Sequence, residues 1–178
     1  DAPPRDRLVL GPLLPLSTRR ADAIIVVSEN TRKDLIRHLG VPGERITVIY
    51  EAVPEHIRRV SDPYTIGRVR HVYEVDQHYI LAVGNLQPRK NLARLIEAYA
   101  LLRREGRTEQ LVIVGQERWR GSHLVRLVEQ HGLTRAVVFT GYVRDADLSA
   151  LYSGAAVFAY PSLYEGFGLP VLEAMACG

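Results

Sequence analysis

The sequence predicts an α/β fold, a doubly wound parallel sheet covered by helices on both faces, and two observations lead there. Four apolar runs, at 80–83, 111–114, 137–139 and 157–160, have the length of buried strands. The segments between them carry apolar residues at helical spacing. Strands that alternate with helices of this length need crossover connections, which make the sheet parallel. Sheets of this kind receive ligands at the carboxyl ends of their strands.

The elements follow in order. Residues 23–27 form an apolar run that reads as a strand, and Ser28 fits as the N-cap of a helix with Leu35, Ile36 and Leu39 on one face. Gly40 closes that helix and Pro42 lies just beyond. A second strand is expected over Arg45–Val53, ended by Pro54. From Glu55 to His78 the pattern dissolves into a polar, arginine-dotted stretch with Pro63 and Gly67. Residues 56–78 are therefore expected to be an interdomain linker with room for a short helix, between a first domain at 1–55 and a second at 79–178. In that second domain the 80–83 strand leads to a helix capped by Asn91, with Leu92, Leu95, Ile96, Tyr99 and Leu102 on its stripe. The next helix, capped by Ser122, uses Leu124, Leu127 and Val128 and stops at Gly132. A third, from Asp145 to about Ser153, buries Leu148, Leu151 and Tyr152, and Pro170 suits the first turn of a fourth.

Composition excludes several classes. With 24% charged and 47% hydrophobic residues over 178 positions, the chain is ordinary globular material. No stretch approaches the roughly 18 to 20 apolar residues of a membrane span, and the start lacks a signal-peptide pattern. A net charge of +3 is too small to argue for nucleic acid. The one cysteine, Cys177, excludes an internal disulfide and points to a reduced, cytoplasmic setting. The six histidines are scattered and no DxD pattern stands out, so no metal ligand set is expected. The last residues read as mid-helix, so the chain is expected to be a fragment.

Two of the 23 basic residues are lysines, so a lysine at a strand end is informative. Lys90, with Arg89, directly precedes a predicted helix start, where cations oppose the helix dipole but could neutralise a docked phosphate. A solvated basic turn fits the same segment equally well. Gly84 and Gly115 follow strands and suit either close ligand approach or a tight turn. Further on, Gly166, Phe167, Gly168 and Leu169 form a glycine-bearing loop at a helix start, offering backbone N–H donors. Glu165 stands before it and Glu173 about one turn inside the helix. Carboxylates beside an anion-friendly loop suit a ligand with both hydroxyls and phosphates, or are ordinary acidic residues of a capped surface helix. Trp119, in the loop 116–121, is either a lid or an exposed loop aromatic.

The run EGFGLPVLEAMACG, preceded by YPSLY, resembles the E-x7-E signature of retaining, GT-B-fold glycosyltransferases of family 4, also called group 1. ADAIIVVSENTRKDL, ITVIYEAV, YILAVGNLQPRKNLARLIEAYALL, LVIVG and VVFTGYVRDADLSALYSGAAVFAYPS agree in order and spacing, so the resemblance covers about residues 21–178. It implies a Rossmann-like donor-binding half of a GT-B fold, truncated, preceded by the tail of an acceptor-binding domain. It implies that Lys90 contacts the donor diphosphate with help from Arg89, that Glu173 bonds the ribose hydroxyls, and that Glu165 faces the transferred sugar. Residues Gly84 and 166–169 would lend backbone groups to sugar and phosphate, and Gly141 to Val143 would lie beside the nucleobase. Asn85 departs from the pattern, since many members carry arginine there. Glu165 and Lys90 are thus the expected catalytic residues.

The resemblance further implies transfer, with retention, from a nucleotide-diphospho-sugar donor to a glycan or lipid-linked acceptor. GDP-mannose is preferred over a UDP-sugar because of the PRKN loop. No cofactor beyond the donor, no nucleic acid and no transmembrane segment are expected. The whole protein would work in the cytoplasm, with room for peripheral association at the inner membrane face. These 178 residues alone are expected to bind donor without transferring sugar. A non-catalytic nucleotide-binding or protein-interaction module is the competing expectation.

Overall fold

The structure, a computed structural model, describes residues 4–116 and 123–178. Trp119 and the expected cap Ser122 lie outside the described residues. The chain divides into two compact units, Asp1–Ala52 with Glu165–Gly168, and Val53–Tyr164 with Leu169–Gly178.

The first unit contains helix α1 (Pro4–Arg20), strand β1 (Ile24–Val26), helix α2 (Glu29–Leu39) and strand β2 (Ile46–Val48). Helix α1 runs through Pro12 and Pro15, residues that argue against a helix interior and hide it in the sequence. The α2 boundaries follow their sequence signals. The Ser28 side chain accepts from the Thr31 N–H, and Gly40, at φ 63°, donates its N–H to Ile36 O. β1 and β2 pair in parallel over a small core of Val26, Val41 and Ile46. β2 is much shorter than the expected 45–53. Its partner ends at Val26, so only the Ile49 N–H finds a further acceptor there, Val26 O at 2.9 Å, and Tyr50 is exposed.

The second unit carries α3 (Pro63–Val72), β3 (Tyr79–Val83), α4 (Leu92–Arg104), β4 (Gln110–Val114), α5 (His123–Gln130), β5 (Val137–Gly141), α6 (Asp145–Gly154), β6 (Val157–Phe158) and α7 (Leu169–Cys177). The sheet is parallel throughout in the order β5-β4-β3-β6, as the alternation of elements predicts. Its pleat sorts side chains between two cores. Ala82, Leu111 and Ile113 join Leu92, Ile96, Tyr99, Leu124 and Val128 of α4 and α5. Leu81, Val112 and Val114 point the other way, to Val69 of α3, Leu151 of α6 and Cys177 of α7.

Residues 56–78 are less of a linker than expected. Ile57, Val69 and Val75 are buried in the second core, and the Val60 N–H donates to Ser153 Oγ at 2.9 Å. Asp62 caps α3, accepting from the Tyr64 and Thr65 N–H groups at 3.2 and 3.0 Å, with Pro63 in the first turn. The Asp-Pro pair was the available signal, obscured by weak periodicity around it. Asn91 holds the N-cap position of α4 but makes no side-chain cap: it sits at φ 55°, and its Nδ2 donates instead to Pro161 O at 3.2 Å. Leu102 is on the exposed side of α4, while Ala100 takes the buried place.

Candidate functional site

In the second unit, β3 pairs with β4 on one side and with β6 on the other. The chain reaches β4 through α4 on one face and returns to β6 through α6 on the opposite face. The carboxyl ends of β3 and β6 therefore flank the point where winding reverses, the place where such sheets leave a crevice. Glycines follow β3 and β4 and end β5. The Gly84 N–H donates to Val114 O at 2.9 Å and the Gly115 N–H to Gly141 O at 3.0 Å. Gly115 is obligatory: at φ 152°, a Cβ on it would stand 2.1 Å from Gly84 O.

Lys90 lies at the same strand end. Only 8% exposed, it runs beside Gly84, where a Cβ would meet Lys90 Cε at 3.1 Å and Nζ at 3.3 Å. The bare Gly84 backbone thus makes room for the lysine as well as for a ligand. Nζ stands 5.4 Å from the centroid of the Tyr160 ring, within cation–π range. This burial contradicts a solvated basic turn as the reading of Lys90. Arg89 beside it is half-buried and turned differently: Nε donates to Gln87 Oε1 at 3.1 Å and Nη1 to Tyr164 O at 3.2 Å. The Leu163 N–H returns a bond to Arg89 O at 2.9 Å. With Asn91 on Pro161 O, these bonds fasten the loop after β3 to the loop after β6 across the reversal point. Asn85 is exposed at the mouth of the first loop.

Glu173 sits on α7, and its Oε2 accepts the Tyr152 hydroxyl of α6 at 2.7 Å. Burial, and then the neighbouring Glu173 carboxylate, push the Tyr152 hydroxyl far above its ordinary value, so it stays a donor. The Tyr152 ring meets Phe158 edge-on at 5.5 Å, and Phe158 stacks on Tyr160 at 6.0 Å. A row of rings thus runs from the partner of Glu173 to the partner of Lys90. Tyr152 and Tyr160 are functional candidates that sequence reasoning missed, the first having been read as core and the second as strand. Val143 is buried in the core, so only its backbone is available to a ligand. Leu169, expected as the last residue of the glycine-bearing loop, is the first residue of α7.

The remaining expected residues are not all gathered here. Glu165, Gly166, Phe167 and Gly168 cluster with the first unit, unlike Glu173. There the Gly166 carbonyl accepts from Ser28 Oγ and, at 3.3 Å, from Thr31 Oγ1, while Phe167 stacks on Tyr50 at 6.1 Å. The loop was expected to act through its N–H groups, and the group engaged inside this unit is a carbonyl.

Chemically, a buried ammonium at a strand end, beside glycine backbone and ahead of the α4 N-terminus, can hold a phosphate. A carboxylate fixed through one oxygen keeps acceptor capacity for hydroxyls. Among the described residues no group of three or more His, Cys, Asp or Glu could hold a metal ion, and no helix is long and apolar enough to cross a membrane. The buried Asp147 is structural. It accepts from Arg68 at 3.1 Å, Arg144 at 2.6 and 2.9 Å, and the Tyr73 hydroxyl at 3.2 Å.

Comparisons with known proteins identify the family and the fold. The sequence profile described as "Glycosyl transferases group 1" matches residues 67–178, and that described as "Glycosyltransferase Family 4" matches residues 2–56. O-antigen chain mannosyltransferase B of Escherichia coli is 38% identical, over 98% of this chain and 46% of its own length. Serotype-specific mannosyltransferase WbdA of Escherichia coli is 36% identical, over 89% of this chain and 20% of its own. The chain thus spans less than half the length of these relatives. Among solved structures, sucrose-phosphate synthase from Thermosynechococcus elongatus superposes with a TM-score of 0.77 at 28% identity, covering 98% of this chain and 42% of that one. Anabaena HepE, in complex with UDP and glucose, gives a TM-score of 0.80 at 24% identity, covering 96% and 46%, and so speaks for the GT-B fold alone. From its profile, its relatives and its fold, the chain belongs to the group 1 glycosyl transferases.

Proposed function

We propose that the whole protein transfers a mannosyl group from GDP-mannose to a glycan or lipid-linked acceptor, with retention of anomeric configuration. The observation that carries the donor half of this reading is Lys90, a buried ammonium beside Gly84 at the reversal point of the sheet. Mannose as the sugar is supported by the mannosyltransferase relatives at 36 to 38% identity. Lys90 neutralises the diphosphate, and Gly84 and Asn85 admit it to the backbone. Arg89 adds positive potential while bracing the loop, and Glu173 accepts from the ribose hydroxyls. The backbone of Val143 borders the base. Glu165 positions the transferred sugar, and backbone groups of Gly166, Phe167, Gly168 and Leu169 contribute to sugar and phosphate.

In such a transfer, negative charge grows on the leaving diphosphate as the glycosidic bond breaks. A cation already desolvated and held in place stabilises that charge without reorganising. The acceptor hydroxyl loses its proton to the leaving phosphate on the same face, so no second carboxylate base is required. Residues 1–178 alone bind donor and turn nothing over, in keeping with their covering less than half of the relatives.

The test is thermal stabilisation of the whole protein by GDP, UDP and ADP, repeated with Lys90→Ala and Glu173→Ala. Stabilisation by GDP, reduced in both variants, is the expected result. Stabilisation by UDP alone would reassign the donor. No stabilisation by any of the three would favour a protein-interaction module.

A further inference from the structure

We infer that Tyr152 is a positioning residue for nucleotide recognition, acting through Glu173. The inference rests on the reading of Glu173 as the ribose acceptor. Glu173 lies on α7, with side chain neither fully buried nor fully exposed, and a glutamate on a helix has three torsions to settle. The Tyr152 hydroxyl, 2.7 Å from Oε2, removes that freedom by tying one oxygen to α6. The tyrosine is itself immobile. It is 4% exposed, its ring is set edge-on against Phe158, and it belongs to the core beneath the sheet. The second oxygen keeps its acceptor capacity for a ligand, and a hydrogen bond to a carboxylate is of the stronger kind.

The arrangement has a further consequence. A carboxylate that already holds one donor presents its remaining lone pairs in a fixed direction, which favours a pair of adjacent hydroxyls over a single one. Tyr152 would therefore sharpen the discrimination of ribose from deoxyribose. It would leave the phosphate contribution of Lys90 alone, since Lys90 stands at the other end of the aromatic row, against Tyr160.

The experiment compares the parent, Tyr152→Phe and Glu173→Ala in the whole protein by calorimetric titration. The probes are whichever of GDP, UDP and ADP binds the parent most tightly, and its 2′,3′-dideoxy counterpart. The readout is the ratio of the two dissociation constants, which cancels general damage because a loosened fold weakens both ligands together. In the parent the dideoxy nucleotide should bind at least about tenfold more weakly, and Glu173→Ala should bring the ratio close to one. Tyr152→Phe, which keeps the ring and removes only the hydroxyl, should lower the ratio about three- to tenfold, with dideoxy affinity unchanged within about twofold. If Glu173→Ala collapses the ratio and Tyr152→Phe leaves it at the parent value, the positioning role is wrong and the reading of Glu173 survives. If Glu173→Ala leaves the ratio unchanged, or no nucleotide binds, the reading of Glu173 falls and the inference with it.

Discussion

The two faces of the four-stranded sheet are built on different terms. The face under α4 and α5 is mainly aliphatic, with Ile96, Leu111, Ile113, Leu124 and Val128 interlocked and Tyr99 reaching Glu109 O and Ala136 O at the edge. The opposite face, under α3, α6 and α7, is threaded with directed bonds. Tyr79 donates to Leu151 O at 2.7 Å, Ser149 Oγ to His56 O at 3.2 Å, Tyr152 to Glu173, and three groups converge on Asp147. Apolar packing is indifferent to small rotations of a side chain, whereas a hydrogen bond is directional. Under the proposed function, the face that aims the Glu173 carboxylate at a ligand is the one tied by directional bonds. The face that only closes the fold is held by area.

Variants on the two faces should therefore fail differently. Ile96→Ala, at a fully buried α4 position, should cost about 3 to 4 kcal/mol in a denaturant titration, and should leave nucleotide affinity unchanged wherever the protein remains folded. A loss of affinity there would break the comparison. Asp147→Asn should cost about 2 kcal/mol, since Arg68 and Arg144 are left without their charged acceptor but are themselves partly exposed to water. Although burial opposes it, bonding to Arg144, Arg68 and Tyr73 holds the Asp147 carboxyl below its ordinary value of 3.8. Its contribution should then be complete above that value and fade as the pH falls further, so that an acid titration of the variant lacks this step. Tyr79→Phe should be the mildest, costing about 1 kcal/mol for one buried acceptor left unpaired. That tyrosine is crowded as well: a Cβ on Gly154 would meet its hydroxyl at 2.8 Å.

The same division explains what could be read from the sequence. Strands β3 to β5, helices α4 to α6 and the caps at Ser28, Gly40 and Gly132 rest on local signals, periodicity and single-residue conformation, and they stand where expected, whereas β6 begins at Val157 as expected but ends at Phe158, short of the expected 157–160. The strand at 45–53 was overextended because β propensity says nothing about how long the neighbouring strand is. Residues 56–78 looked like a linker because their three buried residues, Ile57, Val69 and Val75, are too far apart to show a period. Asn91 looked like a cap by composition, yet its partner Pro161 lies 70 residues away. In the candidate site, Lys90 and Glu173 were legible from motif and position. Their holders were not, because Tyr160 and Tyr152 carry the same apolar signature as any core aromatic, and only tertiary packing reveals where ring face and hydroxyl are used.

The central claim is that Lys90, held against Tyr160 beside Gly84, binds the diphosphate of the donor. A calorimetric titration of the whole protein with its preferred nucleoside diphosphate, parent against Lys90→Ala, tests it most directly. The account predicts affinity about 10- to 100-fold weaker in the variant, measured at a temperature where the variant is folded. An affinity within about twofold of the parent would contradict it.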